Sequence, residues 1–299
     1  MRFVHLTDPH LTSLQDWRPP ALPGKRWSGY LSWRRKRSRQ LRREMLDRLV
    51  AAVRAEEPAL LTITGDLAHI GLPQEIRQAR DWLAQLGPPE RVLLVPGNHD
   101  VYARDSWPAI ARHWSDYLQL DTPPGTGDGR AVYPVLREID GIAFVGVSSA
   151  LPTAPLLATG RLGAAQLGRL RDVLGELRRR GAFTCLLIHH PPVTGLTHWR
   201  KRLADSGMLE QLLCLERVPV ALHGHLHCDL RALRGETRVY GTAPASSVIA
   251  AAPASYRVLD VERESGGWRV TMTLKRHDAA SGTFTIVDQE RWRTGPVPD

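Results

Sequence analysis

The feature that most constrains this chain is a series of short apolar runs, each followed by polar residues. The runs are continuous and β-rich, which is typical of strands buried on both faces by helices. They are Phe3–Thr7, Leu60–Thr64, Val92–Val95, Ile142–Val147, Cys185–Ile188 and Val218–Leu222. Apolar periodicity and Gly or Pro stop signals predict helices between them, at Arg39–Glu56, Gln74–Leu86, Trp107–Leu118, Ala164–Arg180 and Arg202–Leu215. The sequence therefore predicts an α/β fold.

The pattern of predicted secondary structure changes after about residue 230. Four runs separated by Gly, Ser and Asp turns predict strands with no helix among them: Thr237–Tyr240, Tyr256–Val261, Trp268–Leu274 and Thr283–Val287. No internal repeat or long linker interrupts the sequence. We therefore expect one domain over residues 1–299, with an antiparallel set of strands added to the layered core.

Acidic, amide and imidazole side chains stand where five of the predicted strands end. They are Asp8 and His10, Asp66, then Asn98, His99 and Asp100, then His189 and His190, and finally His225 and His227. Open α/β sheets bind their ligands at the carboxyl ends of strands, so these residues are expected to meet at one edge. Oxygen and imidazole donors without cysteine suit Mn²⁺, Fe, Zn²⁺, Ni²⁺ or Co²⁺. The number of donors exceeds what one tetrahedral ion needs, which predicts two divalent ions; such pairs serve in phosphate ester hydrolysis.

Five ordered motifs carry a resemblance to a known superfamily. They are Asp8-x-His10, Gly65-Asp66, Gly97-Asn98-His99-Asp100, His189-x-Pro191 and Gly224-His225-x-His227. In this order, each after a strand, they resemble the calcineurin-like metallophosphoesterases. The resemblance implies a four-layer αββα sandwich of two mixed β-sheets flanked by helices. The strand-rich C-terminal third would supply part of the second sheet.

The resemblance also implies a role for each motif residue. The first metal would be held by Asp8, His10 and His227, and the second by Asn98, His189 and His225. Asp66 would bridge the two ions. His99 would face the substrate and assist the leaving oxygen, with Asp100 orienting its imidazole. The choice between His189 and His190 as ligand stays open at this point, although the position of the first Pro favours His189. His190 and His198 are candidates for substrate contact.

The motif combination most resembles the bacterial class III cyclic-nucleotide phosphodiesterase group, which also contains glycerophosphodiesterases. It predicts a metal-dependent phosphodiesterase acting on a small-molecule substrate. An alternative is a membrane-surface pyrophosphatase of a nucleotide-linked lipid, similar to the UDP-2,3-diacylglucosamine hydrolases. Against that alternative, His99 stands where those enzymes typically carry Arg. From another class, a non-catalytic scaffold or nucleic-acid-binding protein could retain the fold, but the complete ligand set argues against it.

Positive charge is concentrated between residues 17 and 43, which we call the basic-aromatic segment. It holds ten Lys and Arg and no acidic residue, whereas the chain as a whole has a net charge of +9. Interleaved Trp and Tyr suit an anionic membrane surface, stacking on nucleic-acid bases, or anchoring to the protein's own core. The segment follows Asp8-x-His10 directly, so we expect it to overhang the metal site and to determine the substrate.

Three features bear on cellular location. No apolar run approaches the roughly 20 residues that span a bilayer. The N-terminal residues do not resemble a secretory signal. The three cysteines lack paired spacing, which favours a reducing compartment. We therefore expect a cytoplasmic protein, peripheral at the inner membrane face if the basic-aromatic segment binds lipid.

Overall fold

A computed structural model of the protein describes residues 1–18, 24–120 and 130–295. Its strands are β1 (Arg2–Leu6), β2 (Leu60–Ile63), β3 (Val92–Leu94), β4 (Val135–Ile139), β5 (Ile142–Gly146), β6 (Phe183–Leu187), β7 (Val220–His223), β8 (Leu230–Arg234), β9 (Thr237–Gly241), β10 (Val248–Ile249), β11 (Ala252–Pro253), β12 (Ser255–Glu264), β13 (Gly267–His277) and β14 (Phe284–Thr294). They form two six-stranded sheets, ordered β14-β13-β12-β1-β2-β3 and β4-β5-β6-β7-β9-β8, and the short hairpin β10–β11.

Helices cover the outer face of each sheet. The α-helices are α1 (Lys25–Ser32), α2 (Ser38–Gln40), α3 (Arg43–Ala55), α4 (Pro73–Leu86), α5 (Ser106–Trp114), α6 (Ala164–Arg179) and α7 (Ser206–Leu215). A π-helical turn at Trp33–Arg37 joins α1 to α2, and short 3₁₀ turns lie at Pro89–Arg91 and Arg130–Val132. Among the described residues no helix combines the length and the apolar character needed to cross a bilayer.

Three apolar clusters pack the two sheets against each other and the helices against the sheets. One lies between the sheets and joins Phe3 of β1 to Phe144 and Phe183 of the other sheet; Phe3 and Phe144 meet edge to face, with ring centroids 4.8 Å apart. The second cluster packs α3, α4 and α5 against the sheet that carries β1. The third packs α6 and α7 against the sheet that carries β5. Because each sheet is apolar on both faces, the four-layer αββα sandwich predicted from the resemblance is confirmed.

Both sheets are mixed. β1, β2 and β3 are parallel, and so are β5, β6, β7 and β9. Antiparallel strands complete each sheet. β12 pairs with β1, β13 with β12 and β14 with β13, so these three strands extend the first sheet. Among the described strands of the C-terminal third, β8 and β9 join the second sheet. The expectation that the C-terminal third supplies part of the second sheet is therefore confirmed for β8 and β9 and wrong for β12 to β14.

The predicted helix Arg39–Glu56 is interrupted near its start. Leu41 is extended, with φ −119° and ψ 118°. It forms a bridge with Ser247, and the backbone N–H of Arg42 donates to the Ser246 carbonyl at 2.8 Å. This pairing with a distant loop supplies backbone hydrogen bonds that a continuous helix would have made internally. A new helix, α3, therefore begins at Arg43.

The described part of the basic-aromatic segment is helical and lies against the protein itself, while residues 19–23 are outside the described residues. Trp33 is buried with Leu14, Ile70 and Tyr102. Trp17 and Tyr30 pack on the same small cluster. Trp17, Tyr30 and Trp33 thus anchor the segment to the core. Trp27 is exposed, and most of the cations remain on the surface.

Candidate metal centre and substrate cavity

The seven predicted metal ligands lie at the carboxyl ends of parallel strands. Asp8 and His10 follow β1, Asp66 follows β2 and Asn98 follows β3. His189 follows β6, whereas His225 and His227 follow β7. The two sheets are packed face to face, so these strand ends meet along one edge of the sandwich, as open α/β sheets require.

One group of donors surrounds His10. Asp8, His10, Asp66 and His227 each direct a ligand atom into a space in which these atoms all lie within 4.8 Å of one another. Nε2 of His227 is 3.2 Å from Oδ1 of Asp8, and Nε2 of His10 is 3.9 Å from the same oxygen. Oδ1 of Asp8 and Nε2 of His10 are buried without a hydrogen-bond partner. Buried polar atoms normally find partners, so these two fit a bound cation.

A second group of donors surrounds His189. Its Nε2 lies 3.0 Å from Oδ1 of Asn98, 3.3 Å from Nδ1 of His225 and 3.3 Å from Oδ2 of Asp66. Oδ2 of Asp66 is also 3.9 Å from Nε2 of His10. The Asp66 carboxylate therefore stands between the two groups of donors, in the position of a bridging ligand.

Backbone carbonyls fix the direction of two of these imidazoles. Nδ1 of His10 lies 2.9 Å from the Ala68 carbonyl oxygen, and Nδ1 of His189 lies 2.7 Å from that of Thr64. When Nδ1–H donates to a carbonyl, Nε2 keeps its lone pair for a metal. The orientation of both rings thus favours ligation through Nε2.

The backbone of the site is strained. Five predicted ligands have a left-handed conformation that costs about 1 kcal/mol or more for residues other than Gly: Asp8 (φ 50°), His10 (42°), Asp66 (57°), His225 (68°) and His227 (57°). Two glycines permit close approach of the loops: a Cβ at Gly97 would lie 2.1 Å from Oδ1 of Asp66, and one at Gly224 would lie 2.4 Å from Oδ2 of Asp8.

Burial and neighbouring charges shift the pKa values of the donors. Burial lowers the pKa of His10 well below its usual value, and the nearby His69 and His227 add to this effect. For Asp8, burial acts in the opposite direction, but His227, His189 and the Thr7 hydroxyl outweigh it and lower the carboxyl pKa. Burial opposes protonation of His189 as well, yet the Asp66 and Asp8 carboxylates raise its pKa to about 9. The Asp8 carboxyl is ionised and His10 is neutral, which are the forms that bind metals. His189 would have to release its proton when a metal binds.

Asp100 does not orient the His99 imidazole as predicted. Its Oδ2 accepts hydrogen bonds from the backbone N–H groups of Asp66 and Gly97, both at 2.8 Å, and its Oδ1 accepts one from that of Ala68 at 2.9 Å. Both oxygens are thus committed to backbone amides. The carboxylate ties together the two loops that carry Asp66 and Asn98.

His99 instead contacts Arg37, a residue that sequence reasoning did not single out. Nδ1 of His99 lies 2.5 Å from the His69 carbonyl oxygen, so its other nitrogen can accept a hydrogen bond. Nη1 of Arg37 lies 2.9 Å and 3.0 Å from the two ring nitrogens. Burial lowers the pKa of His99 well below its usual value, and the charge of Arg37 lowers it further. In the charge run of the basic-aromatic segment, Arg37 had no feature that separated it from its exposed neighbours.

The two candidates for substrate contact, His190 and His198, lie in different surroundings. His190 is fully buried, with Nδ1 2.8 Å from the Ser149 hydroxyl and Nε2 3.2 Å from the Ala158 carbonyl oxygen. Its ring lies against that of His225, with centroids 4.3 Å apart, so it supports His225 and the prediction of substrate contact is wrong. His189, not His190, reaches Asp66. His198 lines the cavity beside the donors, as a substrate-facing residue would.

This cavity has a volume of about 690 Å³ and opens directly onto the donors. Asp66, Asn98, His99, His225 and His227 form its floor. The basic-aromatic segment forms one wall, and residues 156–158 and 198–201 form another. Cations on these walls are Lys25, Lys36, Arg37, Arg200 and Lys201. A cavity with this charge attracts anionic ligands. The expectation that the segment overhangs the site is confirmed.

Two packed mixed sheets, with oxygen and imidazole donors at the ends of their parallel strands, define a metal-dependent phosphoester hydrolase. The chain belongs to the calcineurin-like phosphoesterase family, whose model matches residues 1–229. The resemblance stated from the five motifs is therefore confirmed. A comparison with curated protein sequences finds no match.

Solved structures show the same fold at low sequence identity. A dimetal phosphatase from Danio rerio is 15% identical, with a TM-score of 0.56 over 97% of this chain and 98% of that one. The purple acid phosphatase PPD1 from yellow lupin is 12% identical, with a TM-score of 0.56 over 97% of this chain and 53% of that one. GAP50 of Plasmodium, described as the anchor in the inner membrane complex, is 11% identical, with a TM-score of 0.54 over 98% and 88%.

Proposed function

We propose that this chain hydrolyses a phosphodiester with two divalent metal ions. The observation that carries the proposal is the pair of donor groups joined by Asp66. Asp8, His10 and His227 would hold one ion, and Asn98, His189 and His225 the other. Two such ions supply Lewis acidity that activates water and neutralises phosphoryl oxygens. The ion could be Mn²⁺, Fe, Zn²⁺, Ni²⁺ or Co²⁺, since the donor set fits all of them.

The cavity supports a diester over a monoester. Its volume of about 690 Å³ leaves room beyond one phosphoryl group, and its walls rise on both sides of the donors. A substrate with groups on both ester oxygens, such as a cyclic nucleotide or a glycerophosphodiester, can occupy both sides. His99 on the floor would face the leaving oxygen. The Nδ1–H of its neutral imidazole is directed at the His69 carbonyl, so the adjacent Arg37 guanidinium supplies the hydrogen-bond donors on this side of the cavity.

The test compares bis(p-nitrophenyl) phosphate with p-nitrophenyl phosphate, each with and without added Mn²⁺. We expect metal-dependent turnover and a higher kcat/KM for the diester. His189→Ala should lose turnover, whereas His113→Ala is the control, because His113 lies on α5 and lines a different part of the surface. Preference for the monoester would refute the diesterase assignment, and no turnover of either compound would favour a non-catalytic protein.

A second candidate is a pyrophosphatase of a nucleotide-linked lipid, bound at a membrane surface. Large apolar side chains stand exposed around the cavity: Leu156 on its wall is 82% exposed, and Trp199, between two wall residues, is 53% exposed. The cations Arg34, Arg35 and Lys36 are exposed on the basic-aromatic segment, and Lys36 lines the opposite wall. Apolar side chains beside cations suit an anionic bilayer, to which each cation contributes about 1 kcal/mol.

Sedimentation with phosphatidylcholine vesicles, with and without phosphatidylglycerol, tests this candidate. We expect binding only to the anionic vesicles, and a loss of roughly 100-fold when Arg34, Arg35 and Lys36 are replaced by Ser. The control replaces Arg77, Arg80 and Arg112, which line a different surface on α4 and α5. Binding of single-stranded oligonucleotides in place of vesicles would indicate a nucleic-acid partner, and binding of neither would exclude both.

A further inference from the structure

Arg37 differs from every other cation on its helical turn. In the π-helical turn Trp33–Arg37, the first and last residues point inward, while Arg34, Arg35 and Lys36 are exposed. Trp33 enters the small apolar cluster beneath the segment. Arg37 reaches the cavity floor beside His99. π-helical turns are rare and frequently occur at functional sites, and this one delivers a guanidinium to the donors.

The Arg37 guanidinium is partly buried and forms no ion pair within the part of the chain that the structure describes, although the Asp66 and Glu75 carboxylates are near enough to favour its charged form. Nη2 donates to the Gly29 carbonyl at 3.0 Å, and Nη1 contacts the His99 ring. Its Nε is buried without a hydrogen-bond partner. Over residues 1–18, 24–120 and 130–295, no carboxylate oxygen lies within 4.0 Å of Arg37. By contrast, Arg26 of the same segment forms a two-pronged ion pair with Asp105, with both contacts at 2.8 Å.

Shielding a charge from water without an ion-pair partner is costly, and a ligand that supplies the opposite charge offsets this cost. Close packing of the neighbouring helix also fixes the position of Arg37. The α1 helix approaches the core so closely at Gly29 that a Cβ there would lie 2.4 Å from the Tyr102 hydroxyl. The carbonyl of that same glycine holds the guanidinium. The fold thus fixes an unpaired cation at the edge of the donor groups.

We infer that Arg37 binds a non-ester oxygen of the substrate phosphoryl group. The planar guanidinium can make two parallel hydrogen bonds to phosphate oxygens, which an ammonium cannot do. On substrate binding, the guanidinium exchanges its contact with the neutral His99 ring for a charged partner. This inference rests on the proposed function for the identity of the ester.

The first test measures binding of inorganic phosphate to the Mn²⁺-loaded protein by calorimetry. We expect Arg37→Ala to weaken binding by roughly 10- to 100-fold and Arg37→Lys to give an intermediate loss. Arg35→Ala, an exposed cation on the same turn, should bind phosphate as the wild type does. Metal content and melting temperature are measured for each variant. If Arg37→Ala does not fold, the comparison of Arg37→Lys with Arg35→Lys decides the question.

The second test uses chemical rescue of diester hydrolysis. Added guanidinium ion should restore part of the activity of Arg37→Ala and leave Arg35→Ala unchanged, because only the former has a guanidinium-sized gap beside His99. A merely structural role for Arg37 would not respond to the added ion. Phosphate affinity of Arg37→Ala within twofold of wild type would overturn the inference. A wild type that binds phosphate through Arg37 but hydrolyses no diester would refute the proposed function and leave the inference standing.

Discussion

Replacing Asp100 tests whether this carboxylate supports the metal loops or the His99 imidazole. Its two oxygens accept three hydrogen bonds from the backbone N–H groups of Asp66, Ala68 and Gly97, at 2.8 to 2.9 Å. Burial and the charge of Asp66 raise the pKa of Asp100 to about 7, so the carboxyl is ionised at pH 8. In Asp100→Ala, all three donors lose their acceptor inside the protein.

The loss of stability expected for Asp100→Ala follows from the three backbone N–H groups that it leaves without an acceptor. Each buried N–H without a partner costs about 1–3 kcal/mol, and water entering the gap recovers part of that cost. We therefore expect the free energy of unfolding to fall by about 4 kcal/mol. At about 2 °C per kcal/mol for a chain of this size, the melting temperature falls by roughly 8 °C. Asp100→Asn keeps one acceptor oxygen and should lose about half as much.

The assay is thermal unfolding at pH 8, with metal binding followed by calorimetry. Because the two loops carry Asp66 and Asn98, Asp100→Ala should also bind Mn²⁺ roughly 10- to 100-fold more weakly. His99→Ala is the control, because it leaves these three amides untouched and removes one hydrogen bond donated by the ring, that to the His69 carbonyl. Its melting temperature should therefore fall by less than half as much as that of Asp100→Ala. If Asp100→Ala melts within about 2 °C of wild type and binds metal normally but loses turnover, the reasoning is refuted and Asp100 acts through His99.

Three further predictions concern the site. Asp66→Asn removes the charge shared by the two donor groups, so elemental analysis should show fewer than two metals per chain; two metals with normal turnover would contradict the bridging role. His99→Ala should retain both metals and lose about 10²–10⁴-fold in rate, most for alkoxide leaving groups; equal losses for p-nitrophenolate and alkoxide would contradict that. Burial lowers the pKa of Lys25, on the cavity wall, to about 8. The ammonium loses its charge as pH rises through that value, so KM for an anionic diester should rise above pH 8 in wild type and stay level in Lys25→Arg.

The core strands and the donor positions could be predicted because both depend on local patterns. Buried parallel strands are continuous apolar runs, and Ile142–Gly146 or Phe183–Leu187 match the predicted runs to within two residues. The donors follow those runs directly, so their meeting point needed only the rule about strand ends. The contacts of Asp100 were less accessible, since its partners Asp66 and Ala68 are more than thirty residues away and are backbone amides without any side-chain signature.

The contacts of the basic-aromatic segment could not be predicted from its local sequence. Its composition fits a membrane, a nucleic acid or the protein's own core, and only the position of Trp33 against Ile70 and Tyr102 shows the third. The same holds for Arg37, which is one of ten cations in sequence and the one that contacts His99 in the structure. The break at Leu41 also depends on Ser247, a residue two hundred positions away.

The central place of β1 has a consequence for how the protein is made. The first 227 residues contain every predicted metal ligand, yet β1 lies between β2 and β12, and β12 spans Ser255–Glu264. Until β12 has been translated, β1, the strand that precedes Asp8 and His10, has one unpaired edge, which is open to pairing with other chains. A message cut short just after residue 229 would encode a full set of ligands on a sheet missing three of its six strands. Every predicted metal ligand is thus translated before the three strands that complete the sheet carrying β1.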